Sequence, residues 1–139
     1  MVVTLDIKLK SFKEEVEVKA IANAGFESDE PEIIVPTSVA KKLKLYPKLP
    51  AETEIEEYRG AGGKKFKVYR LTKGAVKAWA LTEDRSVGPV DVALAITPGE
   101  KEVLLSDKTL DALNIVLVKP GEGLWKFIDD PPEKIRKSY

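Results

Sequence analysis

The chain of 139 residues contains no cysteine, no histidine and no glutamine. Without cysteine there are no disulfides and no thiolate chemistry. Without histidine, the commonest general base and the commonest metal ligand are missing, so serine–histidine hydrolases, cysteine–histidine hydrolases and histidine-built zinc sites are excluded. Any active site must therefore use carboxylates, lysines, tyrosines or hydroxyls.

The sequence also lacks an excess of charge, because 23 basic residues balance 23 acidic ones. This balance gives no general attraction for nucleic acid or an anionic membrane, and neither is expected as a partner. No apolar run approaches the roughly 18 residues of a membrane span, and MVVTLDIK does not resemble a signal peptide. We therefore expect a cytoplasmic protein. Few thermolabile residues together with abundant lysine and glutamate are typical of a thermophilic source.

Short segments of alternating hydrophobicity dominate what is present. Residues 3–9, VTLDIKL, place Val3, Leu5, Ile7 and Leu9 on one face, and 16–22, VEVKAIA, repeat the pattern, which predicts a hairpin. Further strands are predicted at 53–59, 65–71, 75–81, 90–97 and 103–105, with a tight turn at Lys73-Gly74 and a closing hairpin over IVLV, KPGEG and LWKFI.

Two short helices interrupt these strands. PTSVAKKLKL (36–45) is predicted to be capped by Thr37 or Ser38, and SDKTLDALN (106–114) by Ser106 or Asp107. Both follow a short strand, so the two halves of the chain echo each other. Many short strands with two short helices predict one all-β domain over 1–128, closed or sandwich-like, and a loose polar tail over 129–139.

The order of these elements resembles the retropepsin-like aspartic proteases, the single-lobe fold of retroviral proteases and of cellular and archaeal relatives. In that family an apolar strand ends in Asp-Thr/Ser-Gly-Ala, and a strand ending in Pro and a short helix follow. The corresponding text here is AIANAGF (20–26) and EIIVPTSVAKKLKL (32–45). The likeness covers nearly the whole chain and implies a retropepsin-like closed barrel that forms a homodimer.

Two later segments support the resemblance. EEYRGAGGKKFKVY (56–69) is similar to the family's glycine-tipped flap, and LLSDKTLDALNIVLV (104–118) to its second helix motif. The resemblance implies that the flap tip, which covers bound peptide, consists of Arg59, Gly60, Ala61, Gly62 and Gly63. RGAGGK lacks the full spacing of a phosphate-binding loop, so no cofactor is expected, and no metal either.

The sequence departs from the family pattern at the positions of the family's catalytic residues and their supporting residues. Asn23 stands where the family has its catalytic Asp, and a carboxamide can orient a water but cannot take its proton. Ala24 replaces the hydroxyl residue that links the two subunits. Ser106 replaces the Gly before the second helix, and Lys108 the Asp or Asn after it. Gly25 is retained, as in a tight turn that a side chain would obstruct.

An acidic stretch, FESDEPE (26–32), also lengthens the segment between Asn23 and the Pro. Glu27, Asp29 and Glu30 could approach the turn as substitute acids, although an exposed acidic loop is usually only solvated. Asn23 itself has three interpretations: a pseudo-enzyme, an engineered replacement of Asp, or an ordinary polar loop in a merely structural likeness. The missing hydroxyl at Ala24 argues against engineering.

The resemblance, with the acid missing, implies a catalytically inactive homodimer in which the two Asn23 residues face each other. Such a dimer is expected to bind an extended peptide or protein segment or to act as a scaffold. Two alternatives stay open. One is an active aspartic endopeptidase, with a native Asp at position 23 or a recruited acid. The other is a purely structural interaction module.

Overall fold

Six strands of the computed structural model close into a β-barrel. The structure describes residues 2–59 and 61–138. The strands are β1 (Thr4–Lys10), β2 (Glu15–Ala22), β3 (Glu32–Val35), β4 (Glu54–Arg59), β5 (Lys65–Leu81), β6 (Ser86–Ile96), β7 (Val103–Leu105), β8 (Ile115–Lys119), β9 (Leu124–Phe127) and β10 (Arg136–Lys137). The helices are α1 (Thr37–Lys42) and α2 (Asp107–Ala112), with 3-10 turns at Ala61–Gly63 and Pro120–Glu122. The prediction of a mostly β, closed fold with two short helices is confirmed.

The barrel strands follow the order β1-β2-β7-β3-β6-β5, and β5 pairs back onto β1. The β2–β7 and β3–β6 pairs are parallel, whereas the other pairs in the barrel are antiparallel. Strand β4 pairs with β5 and extends the sheet beyond the barrel as a hairpin. Strands β8, β9 and β10 form a separate three-stranded sheet.

The interior is filled by alternate residues of the strands, because successive side chains of a strand point to opposite faces. The apolar face predicted for residues 3–9 is confirmed, since its members are at most 2% exposed: Val3, just before β1, and Leu5, Ile7 and Leu9 within it. They pack in one core with Ile33, Leu94, Leu105 and Phe127. The residues between them in sequence therefore point to the outside of the barrel.

The chain contains two similar strand–helix units, β3 followed by α1 and β7 followed by α2. Corresponding residues of the two units differ by 70 positions. Thr37 and Asp107 begin helices of six residues each. Lys44 and Asn114, just beyond the two helices, both adopt a left-handed backbone with φ of 61°. This geometry is common where a helix ends and the chain turns away. The coarse echo visible in the sequence therefore corresponds to a matched pair of units in three dimensions.

Two backbone hydrogen bonds continue this match outside the units. The Asn23 N–H donates to the Leu105 carbonyl at 3.1 Å, and the Thr97 N–H donates to the Val35 carbonyl at 2.9 Å. Val35 and Leu105 again differ by 70 positions. Asn23 directly follows β2, and Thr97 directly follows β6. The segment after β2 is therefore bonded to the end of β7, and the segment after β6 to the end of β3.

Strand β5 differs from the prediction of two strands joined by a turn. It runs without interruption through Lys73 and Gly74. Its pairing with β6 shifts register between Leu71 and Val76, and Gly74 has a φ of +104°. The Lys-Gly pair therefore makes a bulge and not a reversal, because β6 keeps hydrogen bonding to β5 on both sides of it.

The helix caps and the C-terminal segment also differ in part from expectation. Helix α1 starts after Pro36, and no side chain caps it, so capping by Thr37 or Ser38 is wrong. The cap at Ser106 is confirmed, because its hydroxyl accepts from the Thr109 N–H. The expected loose tail instead folds back, and Arg136 pairs with β9.

Candidate functional site

The Asn23 turn is a tight, surface-exposed loop at the end of β2. The Asn23 side-chain Oδ1 accepts the Gly25 N–H at 3.2 Å, and its backbone carbonyl accepts the Phe26 N–H at 2.9 Å. Ala24 and Gly25 are exposed, and Asn23 is half-buried. The side-chain oxygen of Asn23 is thus used to close its own turn.

Gly25 is less constrained in this chain than the sequence suggested. A Cβ placed on it would meet only the Asn23 Oδ1 at 3.4 Å, which is an ordinary van der Waals contact. The expectation that a side chain would obstruct the turn is therefore wrong for the isolated chain.

Ser106 joins the start of β3 to the first turn of α2. Its hydroxyl accepts the Glu32 N–H at 3.1 Å and lies 3.0 Å from the Thr109 hydroxyl, while Thr109 donates to the Glu32 carbonyl at 2.8 Å. The side chain is fully buried. Ser106 is therefore a structural hydrogen-bonding centre between β3 and α2.

The acidic loop after the turn is held by Asp107 rather than aimed at the turn. The Asp107 carboxylate accepts the Ser28 N–H at 3.2 Å and its own helix's Lys108 N–H at 2.7 Å. The candidate substitute acids are all solvent-exposed: Glu27, Asp29 and Glu30. None has a hydrogen bond or ion pair in the described residues that directs it toward Asn23.

Glu32, the last residue of the acidic stretch, behaves differently because it begins β3. It is 8% exposed, whereas the sequence grouped it with a solvated loop. Desolvation by burial raises the pKa of its carboxyl, and this effect exceeds the opposing charge of Arg70. Neighbouring Glu56 and Glu30 raise that pKa further. Glu32 is thus a buried acid whose backbone is bonded directly to the Ser106 hydroxyl.

Register places Glu32 on the outside of the barrel. Ile34 pairs with both Ala95 and Leu104, and Arg70 also pairs with Ala95, so side chains at these positions share a face. The alternate residues, such as Ile33 and Leu94, fill the core. We call the outward-facing set the outer strip, and its members are Glu32, Ile34, Arg70, Ala95 and Leu104.

Arg70 connects the outer strip to the hairpin of β4 and β5. Its Nε lies 2.9 Å from Glu32 Oε1, and its Nη1 donates to Glu56 Oε1 at 2.9 Å. The Arg70 Nε is buried and makes no hydrogen bond to the described residues, so its approach to Glu32 is an ion contact without hydrogen-bond geometry. One guanidinium therefore serves two carboxylates.

The β4–β5 hairpin carries an exposed aromatic pair on the same side as Arg70. Tyr58 lies opposite Phe66, and their rings stack with centroids 5.5 Å apart. They are 42% and 41% exposed. The Tyr58 hydroxyl donates to Glu56, and this hydrogen bond raises the pKa of Tyr58. A polar and aromatic surface thus extends from the outer strip along the hairpin.

The tip of this hairpin contains the residues expected to form a flap. Arg59 ends β4, and residues 61–63 form a 3-10 turn. Gly62 and Gly63 both have positive φ, of 79° and 78°, and the space that a Cβ would occupy at each is open, so it is their backbone conformation that favours glycine. Ala61 belongs to this turn, and Gly60 lies outside the described residues.

Sequence reasoning identified the turn and the hairpin but missed the charged groups between them. Glu32 was counted with the acidic loop, and Arg70 and Glu56 were ordinary members of alternating strands. The one signal in the sequence is that EIIV starts with an acid directly before a buried run. Glu32 is buried because β3 pairs with β6 and because Arg70 lies against it. The order of residues along the chain does not show these contacts.

Scans against protein-family models and against curated proteins found no match to this chain. Within residues 2–59 and 61–138, no three or more acidic, His or Cys side chains are grouped so as to hold a metal ion. Over the same residues, no helix is long and apolar enough to span a membrane.

Proposed function

We propose that the protein is a retropepsin-like homodimer that binds an extended peptide segment without cleaving it. The observation that carries the proposal is the Asn23 turn, where the side-chain oxygen accepts the Gly25 N–H at 3.2 Å. A carboxamide in that position is neutral at all physiological pH values. It orients a water molecule but does not remove its proton.

The chemistry of the resembling family requires two acids that share a proton across a dimer axis. Two facing amides instead pair through neutral hydrogen bonds, which preserves an assembly but not a general base. The exposure of Ala24 and Gly25 in the single chain supports a partner at this turn. A second copy of the chain would complete a cleft of which one lobe supplies only half.

The hairpin of β4 and β5 supports the peptide-binding part of the proposal. Its β4 strand is an edge of the seven-stranded sheet, so its outer backbone N–H and C=O groups face away from β5. An extended peptide can pair with such an edge by β-augmentation. The stacked Tyr58 and Phe66 would add apolar contact on one side of the hairpin.

A cleavage and binding assay tests the proposal. The protein is incubated with an unfolded substrate between about pH 3 and 6, with and without a pepstatin-type inhibitor, since an aspartic dyad works in this range. We expect no inhibitor-sensitive cleavage. In parallel, a library of labelled extended peptides is tested for binding, and we expect a subset to bind. Cleavage by the unmodified protein would instead assign it to the active endopeptidases.

Asn23→Asp provides the informative variant, and Asn114→Asp is its matched control because the chain has only these two asparagines. Cleavage by Asn23→Asp alone would show that the acid is the one missing component. Cleavage by neither variant agrees with the further loss of the hydroxyl at Ala24. A library in which no peptide binds would contradict peptide binding and favour a structural interaction module.

A further inference from the structure

The Asn23 turn leaves one backbone donor free at its exposed corner. The N–H groups of Asn23, Gly25 and Phe26 each donate to an oxygen, at 3.1, 3.2 and 2.9 Å. Within residues 2–59 and 61–138, the Ala24 N–H donates to no acceptor, and Ala24 is exposed. The backbone nitrogen that directly follows Asn23 is therefore open to solvent and to any base dissolved in it.

The side chain of Asn23 is folded toward the residues that follow it. Its Oδ1 accepts the N–H of Gly25, two residues further along the chain, at 3.2 Å, which is the arrangement of an Asx turn. A donor on a carbonyl oxygen stabilises the negative charge that develops there when a nucleophile attacks the carbon. The Asn23 Cγ is thus an electrophile whose oxygen is already held by a donor.

These two groups are the reactants of asparagine deamidation. The Ala24 nitrogen loses its proton to hydroxide and bonds to the Asn23 Cγ, which closes a succinimide ring. The bond from Cγ to Nδ2 breaks, and ammonia leaves with a proton taken from water. A water molecule then opens the ring at either carbonyl, which gives aspartate or isoaspartate at position 23. The sequence of steps consumes only water and needs no oxidant or reductant.

We propose that Asn23 is a site of spontaneous deamidation, through which the folded turn acquires a carboxylate that the sequence does not encode. Aspartate keeps an oxygen that accepts the Gly25 N–H, whereas isoaspartate lengthens the backbone. Either product adds a negative charge to an exposed turn. Because the reaction is intramolecular, the inference stands on the geometry of the single chain and does not depend on the proposed function.

The chain contains its own control for this reaction. Asn114 is the one other asparagine, and no glutamine is present, so every deamidation event maps to one of two positions. Asn114 precedes Ile115, which begins β8 and is 6% exposed. A buried, β-branched residue crowds its own nitrogen against attack, whereas the methyl group of Ala24 leaves the nitrogen accessible.

The test follows the two asparagines in the folded, full-length chain. The protein is incubated at about pH 9 and at about pH 6, and it is then digested for mass spectrometry, because attack requires a deprotonated nitrogen and should be faster at high pH. Exchange of NH2 for OH raises the mass of a peptide by about 1 Da, and chromatography separates aspartate from isoaspartate. We expect Asn23 to convert roughly tenfold faster than Asn114 and to give both products.

Substitutions at position 24 test whether its nitrogen is the nucleophile. Ala24→Val should slow the conversion of Asn23 about fivefold and Ala24→Gly should accelerate it about fivefold, because the side chain of this residue sets the crowding at the nitrogen. Neither change should alter the conversion of Asn114. Circular dichroism verifies folding, and Ala24→Gly carries the test if Ala24→Val does not fold.

A parallel incubation in guanidinium chloride measures the same conversion in the unfolded chain. The turn holds the Asn23 Oδ1 against its donor, so conversion of Asn23 in the folded protein should be at least as fast as in the unfolded chain. A folded turn that instead protects the amide overturns the proposal.

Three further results would also overturn it. One is conversion of Asn23 no faster than that of Asn114, and another is a rate that does not depend on residue 24. The third is aspartate without isoaspartate, because direct hydrolysis of the side-chain amide would then be the route. These measurements follow bond chemistry and not peptide binding, so their outcome is separate from that of the proposed function.

Discussion

Asn23 and Ser106 each use one side chain to hold neighbouring segments of the chain together. Asn23 uses its side-chain oxygen to hold Gly25, and Ser106 uses its hydroxyl to hold Glu32 and Thr109. Both side chains form hydrogen bonds without ionising at neutral pH. Neutral hydrogen bonds therefore hold both the Asn23 turn and the contact between β3 and α2.

Glu32 gives a prediction at the same scale. An acid whose pKa is higher in the folded state than its ordinary value of 4.5 binds its proton more tightly when the chain is folded. Its contribution to stability is full below the ordinary pKa and is lost as pH rises through the raised pKa. We expect the unfolding free energy of the unmodified protein, relative to Glu32→Gln, to decrease as the pH rises above the ordinary pKa of 4.5.

Urea denaturation at several pH values measures this difference. The groups that act on Glu32 are Arg70, Glu56 and Glu30, and all three remain in the variant. Asp84→Asn is the contrast, because hydrogen bonds from Arg136 lower the pKa of Asp84 and its stabilisation is lost as pH falls. A relative stability of Glu32→Gln that did not change with pH would contradict a raised pKa.

At the scale of elements, β5 shows which features a linear pattern predicts. The period of two identified β1 and β2, since both have one face in the core. In β5 the same rule suggested a turn at Lys73-Gly74, because this dipeptide is typical of reversals. The strand continues instead, since β6 pairs with β5 on both sides of the bulge and β1 pairs with it beyond the bulge. Partners distant in sequence overrode the local signal.

Gly88 provides a stability prediction for the β5–β6 pair. It has a φ of +140°, and an added Cβ would lie 2.6 Å from the backbone oxygen of Ala78. Gly88→Ala should lower the unfolding free energy by about 3 kcal/mol, from backbone strain and overpacking together. Gly99→Ala is the control, because Gly99 also has positive φ but open space around it, and should cost about 1 kcal/mol. Thermal and urea unfolding compare the two, and equal losses would contradict the steric argument.

The C-terminal segment shows a second tertiary effect that its polar, proline-rich sequence conceals. Asp130 has a side chain only 3% exposed, and it accepts the Phe127 N–H at 2.8 Å and the Arg136 Nε at 2.9 Å. Hydrogen bonds from Arg136 lower the pKa of Asp130. The segment is therefore fastened to β9 by one buried carboxylate.

Asp130→Asn should destabilise the protein by about 2–3 kcal/mol at pH 7, because it leaves Arg136 with a weaker partner. Asp129→Asn, whose side chain is 61% exposed, should destabilise the protein much less, because a solvent-exposed ion pair contributes little. The folded pKa of Asp130 is below its ordinary value of 3.8. The difference in unfolding free energy between the unmodified protein and Asp130→Asn should therefore be full above pH 3.8 and shrink as the pH falls through the lowered pKa. Chemical unfolding at pH 7 and about pH 2.5 checks both statements.

At the scale of the whole molecule, the two repeated units explain why the fold was predictable in outline. Strand–helix units at a constant offset leave the same trace twice in the sequence, once in EIIVPTSVAKK and once in VLLSDKTLDA. The local sequence does not predict how they assemble into a barrel, because the parallel β2–β7 and β3–β6 pairs join residues distant in sequence. The charged centre of Glu32 and Arg70 arises only from that assembly.

The same scale carries the prediction on assembly. If the Asn23 turn faces its twin across a two-fold axis, the chain of 15.4 kDa should show twice that mass by light scattering. Ala24→Glu would then place two like charges close together at the axis, which costs several kcal/mol, and the dimer should dissociate. Ala51→Glu makes the same change at another exposed turn and should leave the mass unchanged. A monomeric unmodified protein, or a dimer equally tolerant of both substitutions, would place the turn outside any such interface, and the amide pair could then have no role.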